Sequence, residues 1–402
     1  MTGTTVVLSL LIGVVAAVLL LPTVSDLINL VSIALGYRPR VQRPPAEPPR
    51  LLFLVPAHNE EMLIESCVHS LMRLRYPTTR STAVVVADNC SDRTAKLARA
   101  AGAQCLERHD LKLPGKPRAI AWALERLPVR DYHAVVIVDA DTILDPEFAS
   151  GLASRAPLAS KAVQAYFDVR NPEATPLTRM AAVFATAIHG FAYPLKQQAG
   201  LNVPLVGNGM CLGTDVLARH GWRAFSISED WEMYALLTER GVAIECAPSA
   251  RLYAQEARSL PQSSSQRQRW TAGKLTVLVR MGPRLLGSRQ IALRQKLDAI
   301  AELAAPGPAV HLGLALLLSL LAAALRLPAG HALELLLGAS LVRHAAYATL
   351  ALAFQPDPYR AIRAFAFLPV YTLWRIGAAV QALGMVGDKP WVRTERHQDG
   401  TT

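Results

Sequence analysis

Two aspartates separated by one residue, Asp139 and Asp141, close the apolar run VVIVDADT at 135–142. Hard divalent cations take oxygen ligands, and Mg2+ is typically held by one or two carboxylates together with phosphate oxygens of a substrate. An Asp-x-Asp pair at a strand exit therefore has the chemistry to hold a metal against a diphosphate. A polar strand end with Asp141 as a helix cap is the plainer alternative. A second acid pair, Glu229 and Asp230 in SEDWEM (228–233), stands in front of a helical pattern from Trp231 to Arg240. Adjacent acids there suit the helix dipole. A general base must in addition reach the proton it removes and be ionised at working pH, and Asp230 meets both demands if its loop folds over the metal site.

Three further stretches carry weaker signals. Lys116, in LPGKPRAI (113–120), sits at a loop–helix junction where amides and a cation favour phosphate. The glycines of VGNGMCL (206–212) allow either a close approach of backbone to a ligand or an ordinary tight turn. His58, in PAHNEE (56–61), reads as a hydrogen-bonded loop residue, because HNEE lacks the second histidine of a helical zinc-protease motif. The D-x-D-T string is also similar to the nucleophile loop of haloacid-dehalogenase phosphatases. That motif belongs to a first strand, whereas this one follows the third.

The elements that position these residues alternate. LLFLV (51–55), AVVVA (83–87) and HAVVIV (133–138) read as strands, and Glu61–Arg75, Asp92–Ala101 and Pro117–Leu127 as helices. Such alternation predicts an α/β domain with a largely parallel, doubly wound sheet. Ligands in such sheets bind beyond the carboxyl ends of the strands. The polar clusters AHNEE, DNCSD (88–92) and DAD should therefore share one rim.

The chain's 402 residues are 51 % hydrophobic and only 18 % charged, which points to membrane segments. Thr5–Leu21 is apolar and uncharged, long enough for most of a bilayer crossing. No basic residue precedes it, as a secretory signal would require. The basic linker YRPRVQRPPAEPPR (37–50) follows it, which places that linker in the cytosol. Ala309–Leu325 and Ala332–Phe354 are further crossing candidates, while Ala361–Leu383, with Arg363 and Arg375, suits a helix lying in the interface. That count returns the basic tail at 388–396 to the cytosol. Much of the net charge of +11 lies between Arg258 and Lys296, next to apolar runs. Anionic lipid accounts for this better than nucleic acid does. The five cysteines show no C-x-x-C spacing and fit reduced thiols. The expected organisation is an anchor (1–36), a linker (37–50), a cytosolic domain (51–255), interface helices (256–305) and a C-terminal membrane region (306–402).

In order along the chain, VPAHNEE, ADNCSD, GKPRAI, VDADT, GNGMCL, SED and QRQRW (266–270) resemble the membrane-embedded, inverting family-two glycosyltransferases of GT-A fold. That group includes cellulose, hyaluronan, chitin and poly-N-acetylglucosamine synthases and ceramide glucosyltransferases. The resemblance implies Glu60 and Asp88 at the nucleotide base and ribose, and Lys116 at the nucleotide or its diphosphate. It places Asp139 on the nucleotide side and Asp141 as principal ligand of Mn2+ or Mg2+. Asp230 is the implied base, with Glu229 its neighbour. Gln266, Arg269 and Trp270 match the Q-x-x-R-W element, which implies contact with the acceptor and the departing diphosphate. Asn89 departs from the family, where many members carry a second Asp, and Pro117-Arg118 replaces a small or glycine-rich stretch after Lys116. The expected donor is a nucleotide sugar, UDP-linked in most of the family, and the acceptor a glycan or a lipid. The expected activity is a processive β-polysaccharide synthase at the bacterial inner membrane. A single-transfer lipid glycosyltransferase is the alternative, and a non-catalytic sugar-binding scaffold the remote one. A homo-oligomer or an export partner is left open.

Overall fold

A computed structural model describes residues 3–37 and 47–387. Most of the basic linker and the basic tail at 388–396 lie outside them. Within the described residues the chain forms two compact units, one from 3–37, 172–201 and 257–387, the other from 47–171 and 202–256. The segment 172–201, inside the span expected as one soluble domain, thus belongs with the helices of the first unit.

The strands are β1 (Leu51–Ala57), β2 (Ser81–Asp88), β3 (Gln104–Arg108), β4 (Ala134–Ile137), β5 (Thr142–Leu144), β6 (Ala162–Val169), β7 (Met210–Gly213) and β8 (Ile244–Ala254). The first helices are α1 (Gly3–Ala34), α2 (Ile64–Met72), α3 (Thr94–Ala100), α4 (Lys116–Leu124), α5 (Phe148–Ala153), α6 (Pro176–Ala185), α7 (Tyr193–Gln198) and α8 (Thr214–His220). There follow α9 (Glu229–Glu239), α10 (Leu260–Gly287), α11 (Leu293–Ala304), α12 (Pro308–Ala324), α13 (Gly330–Ala353), α14 (Pro358–Ala364) and α15 (Leu368–Leu383).

The second unit is built on one eight-stranded sheet in the order β3-β2-β1-β4-β7-β6-β8-β5. Every residue of β1 is buried, as a central parallel strand covered on both faces requires. Its Pro56, which has no N–H to donate, lies beyond Leu54, where pairing with β4 ends. The sheet is parallel from β3 through β4. It then departs from the expected largely parallel arrangement: β7 runs antiparallel to both β4 and β6, and β5 antiparallel to β8. Strand–helix alternation, which enforces parallel pairing, stops at β4. The excursion 172–201 separates β6 from β7, so no helical crossover dictates the direction of return. Phe53, Val85, Val136 and Val163 of the sheet and Phe148 of α5 share one buried core.

In the first unit, Ile12, Ala16 and Leu19 of α1 pack with Ala315 and Ala322 of α12 and with Leu333 and Leu337 of α13. Among the described residues, two helices are long and apolar enough to cross a membrane, α1 and α13. The expected crossing 309–325 forms α12, of 17 residues, which meets α11 at an 83° bend; the pair counts as a third candidate only if taken as one broken span. The stretch 361–383 divides between α14, a 3-10 turn at Phe365–Phe367 and α15.

Candidate active site

The carboxyl ends of the parallel strands β1, β2 and β4 bring AHNEE, DNCSD and DAD to one rim of the second unit. The first two loops are laced together. His58 Nδ1 lies 2.7 Å from the carbonyl oxygen of Asp88. The Glu60 amide donates to Thr94 Oγ1 at 2.8 Å, and the Glu61 amide to Asp92 Oδ2 at 3.1 Å. Asn59 and Asn89 hold φ of 53° and 52°, a left-handed conformation that asparagine tolerates better than most residues. The departure Asn89 thus has a local role: its side chain accepts from the Asp110 amide at 2.7 Å and donates to the Asp110 carbonyl at 3.1 Å.

Asp88 is 3 % exposed. Its Oδ1 pairs with Arg108 Nη1 at 2.5 Å, and its Oδ2 accepts the Gly115 amide at 3.0 Å. Arg108 Nη2 then reaches Asp110 Oδ2 at 2.9 Å and the Leu113 carbonyl at 2.7 Å. Asp88 therefore fastens the 108–115 loop, which delivers Lys116. Arg108 escaped the sequence reading because nothing in QCLER distinguishes a buried arginine from an exposed one. Gly115, at φ +106°, is the N-cap of α4 and places Lys116 as its first residue.

Lys116 is the hub. Its Nζ lies 2.7 Å from Asp139 Oδ1 and 3.1 Å from Glu229 Oε1, and it donates to the Gly207 carbonyl at 2.7 Å. Burial opposes its charge, but the carboxylates of Asp139 and Glu229 outweigh that and hold the ammonium above its usual range. Glu229 and Asp230 occupy the first turn of α9 rather than preceding it. Glu232, three residues into the same helix, accepts the Phe225 and Ser226 amides at 2.9 and 2.8 Å and fixes the entering loop. Asp230 is half-buried, and its Oδ1 accepts the Trp231 amide at 2.8 Å. Burial and the neighbouring Glu229 push its carboxyl up to about 7, against the lowering pull of the Trp231 amide and Lys116.

The GNG turn closes the group. Gly207 has φ +80°, and a Cβ there would stand 3.1 Å from Asp230 Oδ2. The close approach foreseen for backbone against a ligand is thus backbone against Asp230 and Lys116. Asn208 braces the Asp-x-Asp loop at both ends: its Oδ1 accepts the Asp139 amide at 3.2 Å, and its Nδ2 donates to Thr142 Oγ1 at 2.7 Å. Below the loop, the buried Cys67 thiol stays protonated, raised by burial and by the charges of Asp141 and Asp139.

Among the described residues no group of three or more His, Cys, Asp or Glu is arranged to hold a metal. Asp139 and Asp141, both partly exposed at a strand exit, are the kind of donor set that a divalent cation sharing ligands with a diphosphate uses. The ammonium of Lys116 between Asp139 and Glu229 shows that a cation is stabilised there. The acidic residues and Lys116 thus converge, with Glu60 nearby on the same rim. Gln266, Arg269 and Trp270 lie on α10, in the first unit, where i, i+3 and i+4 spacing puts them on one face. Trp270 is 44 % exposed, and the Arg267 guanidinium sits 4.7 Å from its ring centroid.

This rim and sheet are those of a nucleotide-sugar enzyme fold, and the chain belongs to the glycosyltransferase like family 2, whose model matches residues 48–273. A curated relative, "Probable glycosyltransferase YdaM" of Bacillus subtilis (strain 168), is 25 % identical over 244 residues, 58 % of this chain. The match spans 57 % of that relative's length. Among solved structures, the mannosyltransferase PcManGT from Pyrobaculum calidifontis, in complex with GDP-Man and Mn2+, superposes with a TM-score of 0.56 at 18 % identity. It covers 92 % of this chain and 98 % of its own, and shows the shared GT-A type α/β fold. TarS of S. aureus (1–349, in complex with UDP) aligns at a TM-score of 0.43 and 16 % identity, over 63 % of this chain and 70 % of its own.

Proposed function

We propose that the protein is a membrane-bound inverting glycosyltransferase that moves a sugar from a nucleoside diphosphate to a hydroxyl acceptor. The convergence of Lys116, Asp139, Glu229 and Asp230 on one rim carries this reading. Asp230, raised to about 7, suits a base that takes a proton near neutrality. The acceptor oxygen attacks the anomeric carbon, its proton passes to the Asp230 carboxylate, and the bond to the diphosphate oxygen breaks on the opposite face. Attack from behind the leaving group inverts the anomeric centre. Lys116 offsets the mutual repulsion of Asp139, Glu229 and Asp230 and so keeps them together. Asp141 with Asp139 would hold Mn2+ or Mg2+, which supplies positive charge for the departing diphosphate. Glu60 is proposed at the nucleotide and Asp88 as the brace behind it. For Gln266, Arg269 and Trp270, the assignment to acceptor and diphosphate rests on the motif alone. The proposed place is the bacterial inner membrane with the second unit in the cytoplasm, a reading based on the basic flanks of the apolar segments.

Of the two acceptor classes, the helix count favours a single transfer to a lipid over the expected polymer synthase. Among the described residues, two candidate spans, three with the bent pair, offer few walls for a polymer channel.

The test is a donor panel. Purified full-length protein receives UDP-glucose, UDP-GlcNAc, UDP-galactose, UDP-glucuronate or GDP-mannose with Mn2+ or Mg2+ and a membrane lipid extract. One donor should give nucleoside diphosphate and a label that stops at one sugar in the organic phase; a high-mass aqueous product would restore the synthase. Asp230→Asn should lower turnover by about 10²–10⁴-fold while donor still binds, as read by calorimetry. Loss of donor binding in that variant would remove Asp230 from the role of base. Chelation should stop turnover, and Mn2+ or Mg2+ should restore it.

A further inference from the structure

In the first unit, α11 and α12 meet at an 83° bend over Ala305–Gly307. Gly307, exposed to the outside, is the N-cap of α12, and no side chain caps that end. The opening amides of an α-helix have no partner within the helix, and its N-terminus carries partial positive charge. Broken helices inside membrane proteins present such ends to anionic groups.

A second observation points to the same place. Arg375 of α15 is 8 % exposed, its Nη1 is buried with no hydrogen-bond partner, and its Nη2 lies 3.8 Å from where a Cβ on Gly307 would stand. One turn earlier on the same face, Thr372 Oγ1 is also buried and unpartnered. The Cγ2 of Thr372 would come within 2.7 Å of a Cβ on Gly313 of α12, so this face of α15 packs directly on α12. The ionisable groups acting on Arg375 are the Tyr371 phenol, neutral near pH 7, and a second guanidinium, that of Arg267, with no carboxylate among them in the described residues. Lys274 donates to the Ala305 carbonyl at 2.8 Å, and its own charge is answered by the Glu302 carboxylate. A buried guanidinium without a counter-ion costs free energy unless an anion joins it.

We propose that the α12 N-terminus and Arg375 form a binding site for a phosphate group borne by a membrane lipid. Pro308, the first residue of α12, has no N–H, so the amides of Ala309 and Val310 and the guanidinium fork are what match the acceptor oxygens of a phosphate. The exposed apolar side chains on the same helices, Leu316 and Leu320 of α12 and Val370 and Leu373 of α15, offer a surface for acyl chains. Neither the donor nor the transfer reaction enters this inference.

The test uses full-length protein in neutral detergent, with phosphatidylglycerol, a galactosyl diacylglycerol of the same acyl chains, or inorganic phosphate added. Native mass spectrometry should show phosphatidylglycerol retained over the galactolipid, and it should raise the thermal midpoint. Arg375→Gln should retain about tenfold less, the worth of one charge-assisted contact. Thr372→Val, at a residue that stands against Gly313 further along α12, should retain as much as the parent. Without lipid, Arg375→Gln should be at least as stable as the parent, because the unpaired charge is gone. Equal retention of the two lipids, unchanged retention in Arg375→Gln, or destabilisation of that variant in the absence of lipid would overturn the site. Equal stabilisation by inorganic phosphate, with displacement of the lipid, would overturn its lipid origin.

Discussion

At the scale of single residues, the proposed chemistry turns on one carboxyl held near neutrality by burial and opposed neighbours. Asp230 sits at about 7 because burial and Glu229 outweigh the Trp231 amide and Lys116. The profile of kcat/KM should therefore rise with pH through an apparent pKa near 7, since the base acts only when ionised. Lys116→Met removes a charge that lowers Asp230, so the rising limb should move to higher pH. A limb that stays in place would detach Lys116 from Asp230. The linkage to stability has the opposite sense. A carboxyl raised from 3.8 to about 7 contributes stability that is present in acid and lost as pH rises through 7. The active form of the site is thus its less stable form.

At the scale of elements, turns and loop braces do the positioning. Gly207→Ala introduces a Cβ at φ +80° and 3.1 Å from Asp230 Oδ2. The backbone cost is about 1–2 kcal/mol. The fall in kcat should exceed what the measured loss of stability explains, with donor KM little changed. An unchanged kcat would show that the GNG turn does not set Asp230. The loop 108–115 depends on the buried pair Asp88–Arg108. Arg108→Met leaves Asp88 charged without its partner and should cost about 3–5 kcal/mol in denaturant unfolding, with faster amide exchange in 108–115. If Asp88 served the nucleotide alone, the same change would weaken donor binding and leave stability intact.

At the scale of the whole molecule, both units have apolar interiors, and the first adds a buried chain of charges between its helices. Lys196 of α7, 1 % exposed, pairs with Asp298 of α11 and lies 3.1 Å from Glu302. Arg343 of α13 lies 2.7 Å from Asp26 of α1 and 3.6 Å from Glu302. Lys196→Met breaks the chain on one side only and should lower stability by about 3–5 kcal/mol in detergent. Adding Asp298→Leu should recover part of that loss, because an apolar pair replaces an orphaned charge. A double variant no better than the single one would show that packing, rather than charge, holds these helices.

The apolar runs by themselves determined β1, β2, β4 and the apolar helices α1, α12 and α13, because a strand buried on both faces, or a helix long enough to be a candidate membrane span, is written in uninterrupted hydrophobic sequence. Strand ends in an alternating chain share a rim, which made Asp139 and Asp141 candidate site residues, while Glu229 and Asp230, at a helix start, entered through the order of motifs and the family resemblance. Only the tertiary structure decided that Lys116 links Asp139 to Glu229, that Arg108 anchors Asp88, and that 172–201 joins the helices of the first unit. It also decided the antiparallel return of β7 and the meeting of Arg375 with the start of α12. These contacts join residues far apart in the chain, and an arginine or lysine has the same local signature whether it is solvated or buried against its counter-charge. Periodicity records which face is buried; which charges meet there depends on how the elements are assembled.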